Sequence, residues 1–161
     1  MGLTKEEFTQ AVLEHSRAMF RAARAVLEQD ADAEDAVSEA VLLAWQKRGQ
    51  LRDLAAVRPW LVKITVNCAR RLRQKNGRML YFDDLEQVSG GQADRRYHVL
   101  WDAVLTLSPE SRTVVVLFYY EDLTVEQIGK ALKLPLGTVK SRLSRARERL
   151  RAMLGEEVEE R

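Results

Sequence analysis

The sequence contains little cysteine, little histidine and no long apolar run. Cys68 is the single cysteine among 161 residues, which excludes an internal disulfide and argues against a metal site built on cysteines. Its apolar neighbours predict a small core residue at that position. No apolar run reaches the roughly 18 residues of a membrane-span candidate. The N-terminus lacks the pattern of a signal peptide, and we therefore expect a cytosolic protein.

Catalytic motifs are also missing. The sequence contains no glycine-rich phosphate loop, no G-x-S-x-G and no histidine spacing typical of a metal site. His15 and His98 stand far apart in unrelated contexts. These absences predict a protein that is not an enzyme, with no catalytic residue, metal or cofactor. A detectable turnover of a small molecule would contradict that prediction.

What the sequence does contain is charge, segregated by sign. Lysine and arginine number 26 and the acids 24, so the net charge is only +2. All charges within residues 28–39 are negative, and all charges within residues 58–78 are positive. Asp32 is a plausible N-cap, and Asp35 suits the positive end of a helix dipole. Glu39 lies too deep in the predicted helix for capping, which favours a polar face for a protein partner.

Caps and breakers predict three helices in the first half of the chain. A capping box at Thr4 and Glu7 opens the first helix, and Gly49 is expected to end the second. Pro59 is expected in the first turn of the third. Periodicity then fails over residues 77–96, which we interpret as a flexible linker.

Further helices are predicted beyond the linker, from about Tyr97. Ser108 and Pro109 form a cap followed by a first-turn proline, and the almost wholly apolar helix that follows is expected to be central to a second domain. Gly155 is expected to end the last helix. The acidic residues after it are interpreted as a frayed tail.

Two helices joined by a tight turn are predicted near the C-terminus. Thr124 and Gln127 form a second capping box, Pro135 interrupts the helical pattern, and Thr138 is a candidate cap for the next helix. That helix has an apolar stripe and an opposite face of basic and hydroxyl side chains. This pattern is typical of a helix-turn-helix, whose second helix enters the DNA major groove. A solvated basic helix is the alternative, but such helices usually interleave charges of both signs.

The third predicted helix is also basic and carries an aromatic residue, Trp60, near its start. Positive charge suits phosphate contacts, and an aromatic ring can stack on unpaired bases. The alternative for Trp60 is that it belongs to the core.

Four segments in this order closely resemble the extracytoplasmic-function (ECF) sigma factors, the smallest class of bacterial RNA polymerase sigma subunits. They are residues 32–45, 58–67, 107–112 and 136–150. The resemblance covers most of the chain, and the last segment is specific by itself. It implies an all-α protein with two small helical domains and a flexible linker. Sigma region 2 is expected at 4–76, the linker at 77–96, sigma region 4 at 97–154 and the acidic tail at 155–161.

The resemblance also assigns roles by position. Core polymerase is expected to contact Asp35, Ser38 and Glu39. The opened −10 element is expected to contact Arg58, Trp60, Lys63, Asn67, Arg70, Arg71 and Arg73, and the preceding loop, residues 48–57, falls where a flipped base is read. The −35 element is expected to contact Thr138, Lys140, Ser141, Arg142, Ser144 and Arg145.

The family further implies three partners: core RNA polymerase, promoter DNA and an anti-sigma factor, which is often membrane-tethered. There are departures, since Ser38 stands where the family often has Gln, and Gly129 and Lys133 replace the usual Ala and Gly of the turn. The alternative function is a stand-alone dimeric helix-turn-helix regulator. For such a regulator, the acidic face and the second basic helix would have no obvious use.

Overall fold

The computed structural model describes residues 2–76 and 95–159 of the chain. Within those two ranges every regular element is helical. The predicted linker at 77–96 lies outside the described residues except for its last two positions, which begin a helix. None of the described helices is both long enough and apolar enough to cross a bilayer.

Three helices form the N-terminal domain: α1 (Lys5–Val26), α2 (Asp30–Lys47) and α3 (Val57–Asn76). The capping box of Thr4 and Glu7 is confirmed at the start of α1. The expected cap at Asp32 is wrong, because α2 begins two residues earlier with Gln29 in the N-cap position. Asp32 instead places its charge in the first turn, where the helix dipole favours it.

Small side chains let α1 and α2 approach each other closely. Ala22 and Ala23 on α1 and Ala36 and Ala40 on α2 are fully buried. Between α2 and α3 the chain makes two single 3-10 turns, Arg48–Gln50 and Leu54–Ala56. Gly49 therefore lies within a 3-10 turn rather than ending α2, which stops at Lys47.

Four helices form the C-terminal domain: α4 (Arg95–Leu105), α5 (Pro109–Val115), α6 (Val125–Leu132) and α7 (Leu136–Glu159). Ser108 caps α5 as predicted, its hydroxyl accepting from the Ser111 amide. The prediction that Gly155 ends the last helix is wrong, because α7 continues through it to Glu159. A glycine stops a helix when it adopts a left-handed backbone, and no described glycine has a positive φ.

A π-helical turn, Val116–Tyr120, extends α5. The amide of Glu121 donates to the Val116 carbonyl at 3.1 Å, five residues back, which is the π spacing. The two domains pack on each other, with α1 against α5 and the π-helical turn, and α3 against α6. This packing places the end of the π-helical turn beside the N-terminal domain.

Candidate nucleic-acid and polymerase interfaces

The turn between α6 and α7 packs closely against α6, as in a helix-turn-helix. Thr124 and Gln127 form the predicted capping box. Lys133 ends α6 in the left-handed conformation, with φ of 57°, and the next amide, of Leu134, donates to the Gly129 carbonyl at 2.9 Å. A Cβ on Gly129 would lie only 3.0 Å from the Leu134 carbonyl oxygen. Glycine at 129 therefore permits this close approach of the chain to α6.

The second helix of this motif starts earlier than predicted. α7 begins at Leu136, and the Pro135 carbonyl accepts from the amides of Thr138 and Val139 at 3.1 and 3.2 Å. Thr138 is therefore a residue of the first turn, and its predicted capping role is wrong. Because Thr138 lies inside α7, its side chain follows the same helical spacing as the residues after it.

Four of the residues assigned to the −35 element are exposed on α7, and the other two border its buried side. Val139, Leu143 and Ala146 are buried against the domain core. With 3.6 residues per turn, the other side of the helix presents the assigned set, here called the recognition face. Its exposed members are Lys140, Ser141, Ser144 and Arg145, and its half-buried members are Thr138 and Arg142.

The residues assigned to the −10 element do not all share one side of α3. Helical spacing places five of them together on one side, here called the basic face: Trp60, Lys63, Asn67, Arg70 and Arg71. Trp60 is partly buried and packs against the core cluster while keeping some exposure. Arg58 lies on the opposite, packed side of the helix, and Arg73 lies at the edge of the basic face.

Several of these cations already have partners within the protein. Arg71 pairs with Glu39 of α2 at 3.4 Å, where both side chains are more than half exposed. Arg70 donates to the Leu132 carbonyl of α6 at 3.1 Å. Arg58 donates to the Glu121 carboxylate at 3.1 Å. Among the described residues, Lys63 and Arg73 have no such partner and remain exposed.

An exposed acidic face lies on α2, formed by Asp35, Ser38 and Glu39. Leu42 follows Asp35 by two helical turns on the same side, and 59% of its surface is exposed. A single exposed leucine is normal on a protein surface, and Leu13 and Leu54 are exposed as well, so Leu42 is of interest only because it lies beside the acidic face. Leu42 was missed from the sequence, although its place within the polar stripe of α2 could have singled it out.

The ion pairs at the contact between the domains were also missed. Arg112 of α5 is 1% exposed; it donates to the Ala25 carbonyl at 2.6 Å and to the Glu28 carboxylate at 3.0 Å. The Glu121 side chain is fully buried and accepts from Arg21 at 2.8 Å and from Arg58 at 3.1 Å. Arg112 falls within one of the family-like segments, but nothing in the sequence indicates its partners.

One more arginine is buried close to this contact. Arg24 donates to Asp30 at 3.0 Å and to the Leu27 carbonyl at 2.7 Å. Burial lowers the pKa of the Arg24 guanidinium, and the hydrogen bond to Asp30 opposes that change. Arg24 therefore fastens the end of α1 to the start of α2, beside the carbonyl and carboxylate that receive Arg112.

A cavity of about 290 Å³ opens at the junction of α3, α5 and α7. Its walls include Arg70 and Arg73 from α3 and Arg142 from α7, with Glu110 as the acidic side chain among them. Residues assigned to two different promoter elements therefore meet at one cavity in this structure.

Comparison with known families agrees with this division of the chain. Residues 11–79 match "Sigma-70 region 2", and residues 103–152 match "Sigma-70, region 4". Together these matches cover more than half of the chain. The chain belongs to the sigma-70 family of RNA polymerase sigma factors.

Individual relatives narrow the assignment to the ECF sigma factors. The chain is 34% identical over 151 residues to the ECF RNA polymerase sigma factor SigM of Mycobacterium tuberculosis, covering 92% of this chain and 77% of that protein. It is 30% identical to the RNA polymerase sigma-E factor of Streptomyces coelicolor, covering 92% and 86%. It is thus an ECF-type sigma factor.

Most of the chain also superposes on a solved sigma factor. The TM-score is 0.75 and the identity 25% with RpoE from Bartonella quintana, solved in complex with the anti-sigma factor NepR; the match covers 93% of this chain and 98% of that one. CnrH, solved in complex with the cytosolic domain of CnrY, gives a TM-score of 0.65 and covers 95% of this chain and 90% of that one.

Proposed function

We propose that this ECF sigma factor directs core RNA polymerase to promoters through three separate surfaces. The acidic face of α2 binds the polymerase, the basic face of α3 holds the opened −10 strand, and the recognition face of α7 reads the −35 element. The observation that carries the proposal is that each surface has exposed members, lies on its own helix and has a chemistry suited to its assigned partner. Nucleotidyl transfer belongs to the core polymerase, and this chain supplies specificity.

Polymerase binding is assigned to Asp35, Ser38 and Glu39, with Leu42 added from the structure. Burial of the apolar Leu42 side chain by a partner favours binding, because it removes apolar surface from water. The carboxylates select a basic partner and speed its association. At position 38 the family often has glutamine, and the shorter serine side chain extends less far from the acidic face. We therefore expect Leu42 to contribute more to affinity than Ser38.

Strand capture is assigned to α3 and to the loop before it. A flipped base costs a few kcal/mol to unstack, and stacking on an aromatic ring returns about 1–3 kcal/mol per base. Trp60 supplies a ring, Lys63, Arg70 and Arg71 supply charge for phosphates, and Asn67 can bond to base edges. Arg73 joins this set when DNA reaches the edge of the basic face, whereas Arg58, on the opposite side of α3, joins it only when its bonds to the C-terminal domain are released.

Reading of the −35 element is assigned to the recognition face of α7. The first turns of a recognition helix approach the base edges. Arg142 and Arg145 can bond bidentately to guanine, whereas Lys140 suits a phosphate or guanine contact. Thr138, Ser141 and Ser144 are short enough to let the helix backbone approach the groove.

An anti-sigma factor, often membrane-tethered in this family, is proposed to hold the protein inactive. Support comes from the similarity over 93% of the chain to a sigma factor solved with its anti-sigma factor. Such a partner would cover the polymerase- and DNA-binding surfaces of both domains. A purified cognate anti-sigma domain should block binding to core polymerase, and failure to do so would contradict the proposal. A stand-alone dimeric regulator is not favoured, since the relatives described above are sigma factors.

The assignment of faces is tested by paired substitutions in promoter-dependent transcription and in core binding. R142A/R145A should abolish use of promoters that need a −35 element while leaving core binding intact. D35K/E39K should weaken core binding first. R151A, which removes an exposed arginine farther along α7, and E6K/E14K, which reverses two exposed acids of α1, are the matched controls. Equal effects of both test variants in both assays would show that the faces are wrongly assigned.

A further inference from the structure

Residues 2–3, which precede the first capping box, form a short segment that packs on the end of α2 and is here called the arm. Leu3 is 6% exposed and belongs to the buried core cluster. Its amide donates to the Arg48 carbonyl at 3.3 Å. Thr4 follows directly as the N-cap of α1. The arm is therefore held between α1 and the 3-10 turn that follows α2.

Glycine at position 2 permits a very close approach of the arm to that turn. A Cβ on Gly2 would overlap the Arg48 carbonyl oxygen and the Gly49 Cα. Both atoms belong to the backbone, so a larger residue at position 2 must displace either the arm or the turn. Glycine is the residue that allows two backbones to come this close. The position of the arm and that of the turn are therefore linked.

The Arg48 carbonyl is the point where the arm meets the loop of residues 48–57, here called the −10 loop. The same oxygen accepts from the Leu51 amide at 3.4 Å, within the first 3-10 turn. The Arg48 guanidinium lies 3.6 Å from the centre of the Trp45 ring, a cation–π contact, and donates to the Trp45 carbonyl at 2.8 Å. Trp45 in turn packs edge-on against Phe8 of α1, with ring centres 5.2 Å apart. The arm, α1 and α2 together hold the start of the −10 loop.

Beyond this turn the −10 loop has a buried anchor and an exposed tip. Leu51 is buried, whereas Arg52, Asp53 and Leu54 are exposed. The Asp53 carboxylate accepts from the Ala55 amide at 3.0 Å at the second 3-10 turn. Groups that discriminate between ligands must be held within about 0.5 Å of their productive position by supporting contacts. The exposed tip therefore depends on the turn that the arm contacts.

We propose that the arm positions the −10 loop and so determines how strictly this loop discriminates the flipped base of the −10 element. Gly2 and Leu3 are positioning residues, which act through the Arg48 carbonyl. The proposal rests on the assignment of this loop to the −10 element under the proposed function. It adds to the determinants of promoter choice two residues that lie outside the region 2 match at residues 11–79.

The first test measures hydrogen exchange of the −10 loop in the full chain. G2A displaces the arm or the turn, and L3A removes the buried side chain of the arm. Both should speed amide exchange of residues 48–57 at least threefold more than that of the remaining N-terminal domain. L3M conserves side-chain volume and should exchange at the native rate. Native exchange of the loop in both G2A and L3A would overturn the proposal.

Two control variants match these changes by type. At Gly155 an added Cβ meets nothing within 4 Å, so G155A should leave exchange of the loop unchanged. M19A truncates a fully buried side chain about four turns into α1. It lowers stability as L3A does, but it should not speed exchange of the −10 loop selectively. Selective exchange of the loop in M19A would mean that the arm has no special role.

The second test measures base discrimination in run-off transcription with core polymerase. Transcripts that the native protein produces from bacterial genomic fragments identify a promoter, and each of its −10 positions is then replaced by all four bases. G2A and L3A should reduce the ratio between the preferred and the next base at least threefold at one −10 position. The corresponding ratios at the −35 positions should stay unchanged, and M19A should alter neither set. A loss of stability alone lowers all transcripts together and leaves these ratios unchanged.

R52A/L54A, at the exposed tip, reports on the loop assignment itself and should reduce discrimination at the same −10 position. If this variant has that effect and the arm variants do not, the arm has no positioning role and the loop assignment stands. If the arm variants lower the −10 and −35 ratios equally, their effect is general and the proposal is wrong. If neither the tip variant nor the arm variants change the −10 ratios, the loop does not read the flipped base, and the role of the arm is lost with that assignment.

Discussion

Two residues in the C-terminal domain adopt the left-handed backbone conformation without being glycine. They are Asp122, with φ of 56°, and Lys133, with φ of 57°. Aspartate is among the few residues that tolerate this conformation, because its short side chain can bond locally. Lysine has no such compensation, and a left-handed non-glycine residue costs about 1–2 kcal/mol. The turn of the helix-turn-helix is therefore a point of local strain.

Lys133→Gly should relieve that strain. We expect the free energy of unfolding to rise by about 1 kcal/mol, since glycine adopts the left-handed conformation without a Cβ clash. The control is K130G, within the same helix and also exposed, which should lower stability by about 1 kcal/mol because it places glycine in a helix interior. Urea denaturation of the two variants measures both changes. Equal destabilisation by the two glycines would show that the turn is unstrained.

Cys68 is buried as the sequence predicted, and its surroundings favour the neutral thiol. Burial raises the pKa of Cys68, and the nearby charge of Glu39 adds to that effect, while a hydrogen bond from Arg71 opposes it. An acid whose pKa is raised by folding contributes stability that is present at low pH. That stability is lost as the pH rises from the unfolded thiol value toward the folded one.

The free energy of unfolding should therefore fall as the pH rises past the ordinary thiol pKa of 9.0. In C68A the corresponding part of the slope should disappear, because no thiol remains to ionise in the unfolded chain. Chemical denaturation between pH 7 and pH 10 measures the difference between the two proteins. Parallel pH profiles would contradict the prediction.

At the scale of elements, local signals predicted helix starts better than helix ends. The capping boxes at Thr4 and Thr124 are confirmed. Both could be predicted because the two partners of each box lie within one turn of each other. The π-helical turn could not be predicted, since Val116–Tyr120 reads as a continuation of an apolar helix and the change depends on its packing. Caps at Asp32 and Thr138 were wrong because both helices begin earlier, and the Gln29 and Pro135 carbonyls accept their first helical hydrogen bonds.

The corrected start of α7 gives a matched pair of substitutions. Thr124→Ala removes a hydroxyl that accepts from the Gln127 amide at 3.1 Å, so we expect a loss of about 1 kcal/mol of stability. Thr138→Ala should change stability by no more than about 0.5 kcal/mol, because Thr138 does not cap the helix. Denaturation curves of both variants measure the effects. A larger loss from T138A than from T124A would restore the capping role that the structure denies.

The binding surfaces themselves could be placed from the sequence only within a helix. Periodicity separates the buried side of α7 from the recognition face, and all six assigned residues lie off the buried side. On α3 the same reasoning does not decide the role of Arg58, because its partner Glu121 is 63 residues away. Charge type alone therefore located the helices but not the contact of Arg58 with the second domain.

At the scale of the whole molecule, the contact between domains was beyond the reach of the sequence. The expected linker lies almost wholly outside the described residues, and the structure pairs Arg21 with Glu121 across 100 positions. Ion pairs at such separation leave no periodic pattern. Their geometry depends on how both domains are already folded. The consequence is energetic coupling, since a domain that unfolds leaves its partner's buried charges without compensation.

The three tryptophans can report on that coupling, because they divide between the domains. Trp45 and Trp60 lie in the N-terminal domain, and Trp101 lies in the C-terminal one, 5.2 Å from the Tyr120 ring. W101F leaves the first pair as probes, and W45F/W60F leaves Trp101. If the domains are coupled, both proteins should show the same unfolding midpoint once each is corrected for its own substitution.

T124A should then lower the midpoint seen by either probe by about 2–4 °C, although it weakens only a C-terminal helix. E121Q should separate the two transitions, because it removes the charge that joins the domains. Transitions that are already separate in the native background would mean that the domains fold independently and that the buried ion pairs do not couple them.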